Sequence, residues 1–103
     1  MKKFSALGFA ADRAWGSELL SDFGDVTVRL HWTDKPYKWH QNTGKEVFVV
    51  LEGLVDMHVR ENGIEKIIPL KAGEGVTVDH GDEHVAHPLG EARVLVVELK
   101  DSE

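Results

Sequence analysis

The sequence predicts an all-β protein in which antiparallel strands form a sandwich or a barrel. Short apolar runs recur along its 103 residues, and turn residues separate them at the spacing that is typical of such folds. Only Asp12 to Leu20 shows helical periodicity, and this segment is long enough for no more than a short helical turn. Strands therefore account for the regular structure that we expect.

The strand signals follow one another along the whole chain, and we expect the first at Phe4 to Ala11. From Val26 to Trp32 apolar and polar residues alternate, which places His31 on the face opposite Leu30. Runs rich in Val, Ile and aromatic residues predict further strands at Tyr37 to Asn42, Glu46 to Leu51, Leu54 to Arg60, Glu65 to Leu70, Gly75 to Val78 and Ala92 to Leu99.

The turns and the most apolar runs indicate how the strands pack. Asn62-Gly63 is the strongest turn signal, because both residues tolerate the positive φ angles of a tight two-residue hairpin. Val47 to Leu51 and Val94 to Val97 are apolar at consecutive positions, which predicts burial on both faces. Two packed sheets, or a filled barrel covered on the outside by another subunit, would bury them.

Length and composition predict one domain, residues 1–103, and exclude several classes of function. There is no cysteine, so disulfides, thiolate catalysis and cysteine metal sites are excluded. The formal net charge of -6 and the lack of a basic cluster disfavour nucleic acid or an anionic membrane as partner. No apolar run approaches the length of a membrane span, and we expect a cytoplasmic protein that acts on a small molecule.

One group of polar residues has the composition of a metal site. His40 and Asn42 are two residues apart on a predicted strand, so their side chains should leave the same face. Glu46 begins the next strand after a turn, and His84 follows a glycine turn much later in the chain. Two imidazoles, a carboxylate and an amide oxygen suit a divalent ion such as Mn, Fe, Ni, Co or Zn.

The spacing of these residues resembles that of the small, single-domain cupins over roughly residues 26–98. The first cupin motif is two histidines one residue apart, a glutamate three or four residues later, and a glycine after six more; this sequence offers His40, Asn42, Glu46 and Gly53. The second motif is glycine, five residues, proline, one residue, glycine, two residues and histidine; Gly73, Asp79, Gly81 and His84 match its spacing, with Asp79 in place of proline.

The resemblance implies an antiparallel cupin-type β-barrel, or jelly roll, that holds a metal inside the barrel and often forms a homodimer. In this chain His40, Glu46 and His84 would hold the ion and Asn42 would assist. Asn42 stands where the family usually has a second histidine, and an amide oxygen is a weaker donor to late transition metals than imidazole. The site is therefore either a metal site of altered affinity or a pocket that holds no metal.

The remaining histidines and tryptophans carry weaker predictions. His87 follows His84 by three residues and is a candidate base or substitute ligand; a surface position is the alternative. His31 and His58 lie on predicted strands and are candidates to line the barrel wall. We expect Trp15, Trp32 and Trp39 to serve in the core or at a dimer contact, with stacking on a substrate as the alternative.

Two functions from different classes remain open. One is a metal-dependent cupin, enzymatic or ligand-binding, whose ion acts as a Lewis acid toward a small metabolite, sugar-like or carboxylate. The other is a metal-free module that binds or senses a small molecule without catalysis. The sequence does not choose between them.

Overall fold

The computed structural model describes residues 1–100, which form nine β-strands in two antiparallel sheets. The strands are β1 (Gly16–Asp22), β2 (Val26–Thr33), β3 (His40–Gln41), β4 (Glu46–Glu52), β5 (Leu54–Glu61), β6 (Ile64–Lys71), β7 (Gly75–Val78), β8 (Glu83–Pro88) and β9 (Ala92–Leu99). Within this part of the chain no helix is long and apolar enough to cross a membrane. The predicted all-β fold class is confirmed.

The strand order shows that the chain passes repeatedly between the two sheets. The larger sheet has the order β1-β2-β9-β4-β7, and the smaller has the order β3-β8-β5-β6. Strand β9, the last described strand, lies at the centre of the larger sheet, where it pairs with β2 and β4. This arrangement is a jelly roll, with one continuous core between the sheets.

The core consists of the inward side chains of both sheets. Its members are Phe48, Val50, Val55, Met57, Leu70, Ala86, Ala92, Val94 and Val96. Burial of each larger side chain contributes about 1.5–3 kcal/mol relative to its exposure to water. On the other side of the larger sheet Val47 is 40% exposed, so β4 is not covered on both faces within this chain.

The beginning of the chain differs from the prediction. No strand forms at Phe4 to Ala11; this segment is irregular, and its Phe9 carbonyl oxygen accepts a hydrogen bond of 2.8 Å from Arg93 Nε. Where Asp12 to Leu20 indicated at most a helical turn, β1 begins at Gly16 and pairs with β2 along its length. Pairing with a ready neighbour outweighs the weak local preference of this polar segment.

Two other boundaries also change. The predicted strand Tyr37 to Asn42 is reduced to His40–Gln41, although Tyr37 N and Asn42 N still donate to the carbonyl oxygens of Ala86 and Asp82. A strand that the sequence did not predict, Glu83–Pro88, forms β8 and provides the partner for β3. The sequence pattern of this strand does not alternate between apolar and polar residues, because one of its buried inward positions is occupied by a polar residue, His84.

Candidate functional site

The candidate site is a cavity between the two sheets with a volume of about 120 Å³. It is lined by Trp15, His31, Tyr37, His40, Glu46, Phe48, Met57, His84, Ala86, Val96 and Glu98. Most of this wall is apolar or aromatic, and the polar groups are three imidazoles and two carboxylates. Such a wall with a few convergent polar groups is typical of a ligand site.

His40 and His84 meet in the cavity because β3 pairs with β8. The two residues are direct cross-strand partners, and their ring centroids are 4.3 Å apart. His84 is 4% exposed, so its ring belongs to the interior. The structure thus brings together the two histidines that the motif spacing singled out.

Each of the three cavity histidines has its Nδ1 atom beside a backbone carbonyl oxygen. The distances are 3.0 Å from His40 to Lys38 O, 3.4 Å from His84 to Asp82 O, and 3.2 Å from His31 to Trp15 O. A carbonyl oxygen only accepts hydrogen bonds, so the neutral ring places its proton on Nδ1. Nε2 then keeps a lone pair that can bind a metal or accept a proton.

Burial lowers the pKa of the His84 imidazole below its usual value. The neighbouring His40 lowers the pKa further, because two positive rings would repel each other. The hydrogen bond to the Asp82 carbonyl and the charge of Asp82 act in the opposite direction and are outweighed. At neutral pH the ring of His84 is therefore uncharged.

The two carboxylates face the cavity from the larger sheet. Glu46, predicted from the motif, is 8% exposed and lies directly opposite Glu98 in the β4–β9 pair. Sequence reasoning missed Glu98. The signal was the alternation of β9, since Ala92, Val94 and Val96 are buried inward positions and Glu98 continues their row.

Asn42 is buried beside the site, but it is not one of the described residues that line the cavity. Its Nδ2 donates a hydrogen bond of 2.9 Å to Gly44 O, whereas its Oδ1 is buried and has no hydrogen-bond partner. Its backbone bonds to Asp82 O and to Gly81 N. Asn42 therefore joins the end of β3 to the loop that carries the second motif.

His58 and His87 lie on the other face of the smaller sheet. Their neighbours Met57 and Ala86 point into the cavity, so alternation turns the two histidines outward. Their ring centroids are 4.1 Å apart, and His58 Nδ1 lies 3.1 Å from Glu65 Oε2. The structure separates this outer pair from His40 and His84.

An aromatic wall with a strained residue closes one side of the cavity. Trp15 has a φ angle of 62°, a left-handed conformation that is rare for a bulky residue. Its indole Nε1 donates to Lys35 O at 2.9 Å, and its ring packs edge-on against Tyr37 with centroids 5.5 Å apart. Residues held in such conformations cluster at functional sites.

The residues present suit a divalent metal in their donor chemistry. Imidazole nitrogens and carboxylate oxygens are the ligands of Mn, Fe, Co, Ni and Zn. The backbone contacts of Nδ1 are the kind of second hydrogen bond that orients metal-binding histidines. Within residues 1–100, however, no group of three or more His, Asp or Glu side chains stands at coordination geometry.

Comparison with known proteins finds no matching protein-family model and no matching curated protein. Among solved structures, a cupin-2 domain protein from Shewanella frigidimarina is similar, with a TM-score of 0.77, 24% identity, and coverage of 87% of this chain and 85% of that chain. An RmlC-like cupin from Desulfovibrio desulfuricans has a TM-score of 0.75 and 20% identity, with 96% of each chain covered.

A third similar structure is that of a metalloprotein, Fe(II)-HppE with the alternative substrate (S)-1-HPP. Its TM-score is 0.68 at 18% identity, over 79% of this chain and 47% of that chain. At these identities the likenesses establish the fold. The chain is thus a small single-barrel protein of cupin fold.

Proposed function

We propose that this chain, which has the fold of the small cupins, binds a divalent metal in its cavity and uses it to hold a small molecule. His40, His84 and Glu46 would hold the ion, and Asn42 is placed to support the loop around them. The observation that carries the proposal is the contact of Nδ1 of both histidines with backbone carbonyl oxygens, which favours the ring proton on Nδ1 and leaves the Nε2 lone pairs for a ligand.

A bound ion would supply Lewis acidity toward a carbonyl, hydroxyl or carboxylate oxygen of the bound molecule. The chain's own residues would fix the position of that molecule. Trp15, Tyr37 and Phe48 exclude water from one side, and His31, which does not hold the ion, would accept a proton at Nε2. Within residues 1–100 no three of these side chains stand at coordination geometry, so they must rearrange to gather around an ion.

The size of the cavity limits the bound molecule. An apolar protein cavity of about 150 Å³ holds one molecule of the size of benzene. This cavity, about 120 Å³, therefore accepts a small metabolite or one end of a larger one. The aromatic wall favours a molecule with one apolar face and one oxygen-bearing end.

Metal titration of chelator-treated protein tests the proposal. Purified without a histidine tag, the wild-type chain should take up one equivalent of Mn²⁺, Fe²⁺, Co²⁺, Ni²⁺ or Zn²⁺, measured by elemental analysis and by thermal melting. At a free metal concentration of 100 times Kd the free energy of unfolding should rise by about 2.7 kcal/mol.

His84→Asn should abolish this uptake, because it removes a buried donor of the cavity. His87→Asn is the matched control, since His87 lies on the outer face and its loss should leave uptake unchanged. Equal loss in both variants, or no uptake by the wild type, would count against the proposal.

The second candidate is a metal-free binding module. It is favoured by Asn42, whose Nδ2 is engaged by Gly44 O, and by the lack of three acidic or histidine side chains at coordination geometry within residues 1–100. Uptake of a small aromatic alcohol by chelator-treated protein, with no response to any of the five metals, would support it. Quenching of the tryptophan fluorescence would report such binding, since one of the three tryptophans, Trp15, lines the cavity.

A further inference from the structure

We infer that Glu98, not Asn42, is the fourth ligand of the metal, so that the ion is held by two imidazoles and two carboxylates. The inference rests on the proposed function and deepens it. It assigns to this chain a ligand from its last strand, β9, outside both sequence motifs.

Two cross-strand pairs face each other across the cavity. His40 and His84 are direct partners in the smaller sheet, and Glu46 and Glu98 are direct partners in the larger sheet. All four residues line the same cavity of about 120 Å³. Directly opposite residues of antiparallel strands have Cβ atoms about 4.5–5.5 Å apart, so the two carboxylates can reach one ion.

The charges of the site point to the same set. Two carboxylates side by side repel each other, and a cation bound between them lowers that repulsion. A divalent ion neutralises both, because the histidines are uncharged when they bind it. Glu46 and Glu98 thus form a site whose net charge matches an ion of charge +2.

Asn42 has less to offer the ion. It is buried and does not belong to the described residues that line the cavity; its Nδ2 donates to Gly44 O, and its Oδ1 is buried without a hydrogen-bond partner outside that lining. An amide oxygen is neutral and does not offset the charge of the ion. Its hydrogen bonds connect two loops, which is a structural role.

The ligand set also narrows the choice of metal. Carboxylate oxygens suit Mn²⁺ and other hard ions, whereas imidazole suits Fe, Ni, Cu and Zn. Two donors of each kind favour Mn²⁺ or Fe²⁺ more than a set of three histidines would. Mn²⁺ is the better probe, because electron paramagnetic resonance reports the free ion directly.

The test is Mn²⁺ binding to chelator-treated wild type, Glu98→Gln and Asn42→Ala, followed by electron paramagnetic resonance. Glu98→Gln keeps the shape of the side chain and should weaken binding at least about tenfold. Asn42→Ala should weaken it by less than about threefold. Glu18→Gln, which changes an exposed glutamate of β1, is the control and should bind as the wild type does.

Thermal melting without metal first checks that each variant folds. Where Asn42→Ala does not fold, Asn42→Ser replaces it. Equal affinity of Glu98→Gln and wild type, or a larger loss in the Asn42 variant, would overturn the inference and leave the proposed metal site standing. If the wild type binds neither Mn²⁺ nor the other four metals, the proposed function and the inference fail together.

Discussion

At the scale of single residues, the cavity is defined by how its imidazoles are held. His40 and His84 lie side by side, and each places Nδ1 near a carbonyl oxygen of the residue two before it. The ring of His84 is almost completely buried, which favours the uncharged form. A neutral ring with a fixed tautomer can bind a cation without first losing a proton.

The stability of the metal-free protein should depend on this histidine. Because the pKa of His84 is lowered in the folded protein, the unfolded chain binds more protons as the pH falls through about 6.5, the usual pKa of histidine. The free energy of unfolding should therefore be highest above pH 6.5 and should decrease below it. Urea unfolding at pH 7.5 and pH 5.5 measures the difference.

His84→Gln should reduce this loss on acidification, since glutamine does not titrate. His80→Gln serves as the control, because His80 is exposed in the loop before β8 and should leave the pH dependence unchanged. The other groups near the His84 ring are His40 and Asp82, which both variants retain. A wild-type protein that is more stable at pH 5.5 than at pH 7.5 would contradict the expected direction.

The residues that the sequence identified are those whose spacing repeats a motif. Two motif spacings singled out His40, Glu46 and His84. The strands and turns between them bring all three side chains to the same cavity. Glu98 and Trp15 belong to no motif. The alternation of β9 indicates the face on which Glu98 lies but not its neighbour Glu46, and no sequence pattern indicates the left-handed backbone of Trp15.

At the scale of elements, the turn between β4 and β5 explains the glycine of the first motif. Gly53 has a φ angle of 92°, and a Cβ atom added there would lie 3.0 Å from Ala92 Cα and still closer to Glu91 O. The glycine therefore lets this turn pack against the start of β9. It fixes the position of β4, which carries Glu46.

Gly53→Ala should destabilise the protein more than Gly90→Ala does. Gly90 has a similar φ angle of 87°, but a Cβ atom added there meets nothing within 4 Å. Gly90→Ala should cost about 1–2 kcal/mol for the left-handed backbone alone. Gly53→Ala should cost about 1–3 kcal/mol more because of the added steric contact.

Urea unfolding of both variants measures this difference. Equal costs would show that backbone conformation alone accounts for Gly53. The difference between the two glycines depends on the position of β9 beside Gly53. The sequence predicted β9 as a strand but did not predict its position in the sheet.

Alternation identified the elements well where one face is apolar. Strands β4, β5, β6, β7 and β9 form within one or two residues of the predicted bounds. The strands that were not predicted are Gly16–Asp22, which forms a hairpin with β2, and Glu83–Pro88, which pairs with β5. The second pairing joins residues that are distant in the chain, such as Val59 and His84, and no local pattern contains it.

At the scale of the whole molecule, the outer face of the larger sheet has a row of exposed apolar side chains. Strand β4 turns Phe48 inward and Val47 outward, and Val47 lies beside Val97 of β9. Leu99 follows on the same outer row of the larger sheet and is 41% exposed. The homodimer expected from the sequence stays a prediction, and this row is where we expect the second copy to pack.

Val47→Lys should convert such a dimer to a monomer, because the charge would be buried in an apolar contact. Ile67→Lys is the control; Ile67 is 51% exposed on the outer face of the smaller sheet, opposite His58. Sedimentation equilibrium distinguishes the two masses. A wild-type monomer, or a Val47→Lys dimer, would refute the expected interface.

The hydrogen bond from Arg93 to the Phe9 carbonyl oxygen connects β9 to the start of the chain. Arg93 also donates to Glu52 Oε1 of β4 at 2.6 Å. The guanidinium group therefore links Phe9 to two strands of the larger sheet. Six residues after Phe9 comes Trp15, a wall of the cavity. A fusion partner or a deletion at the start of the chain would thus disturb the wall of the cavity.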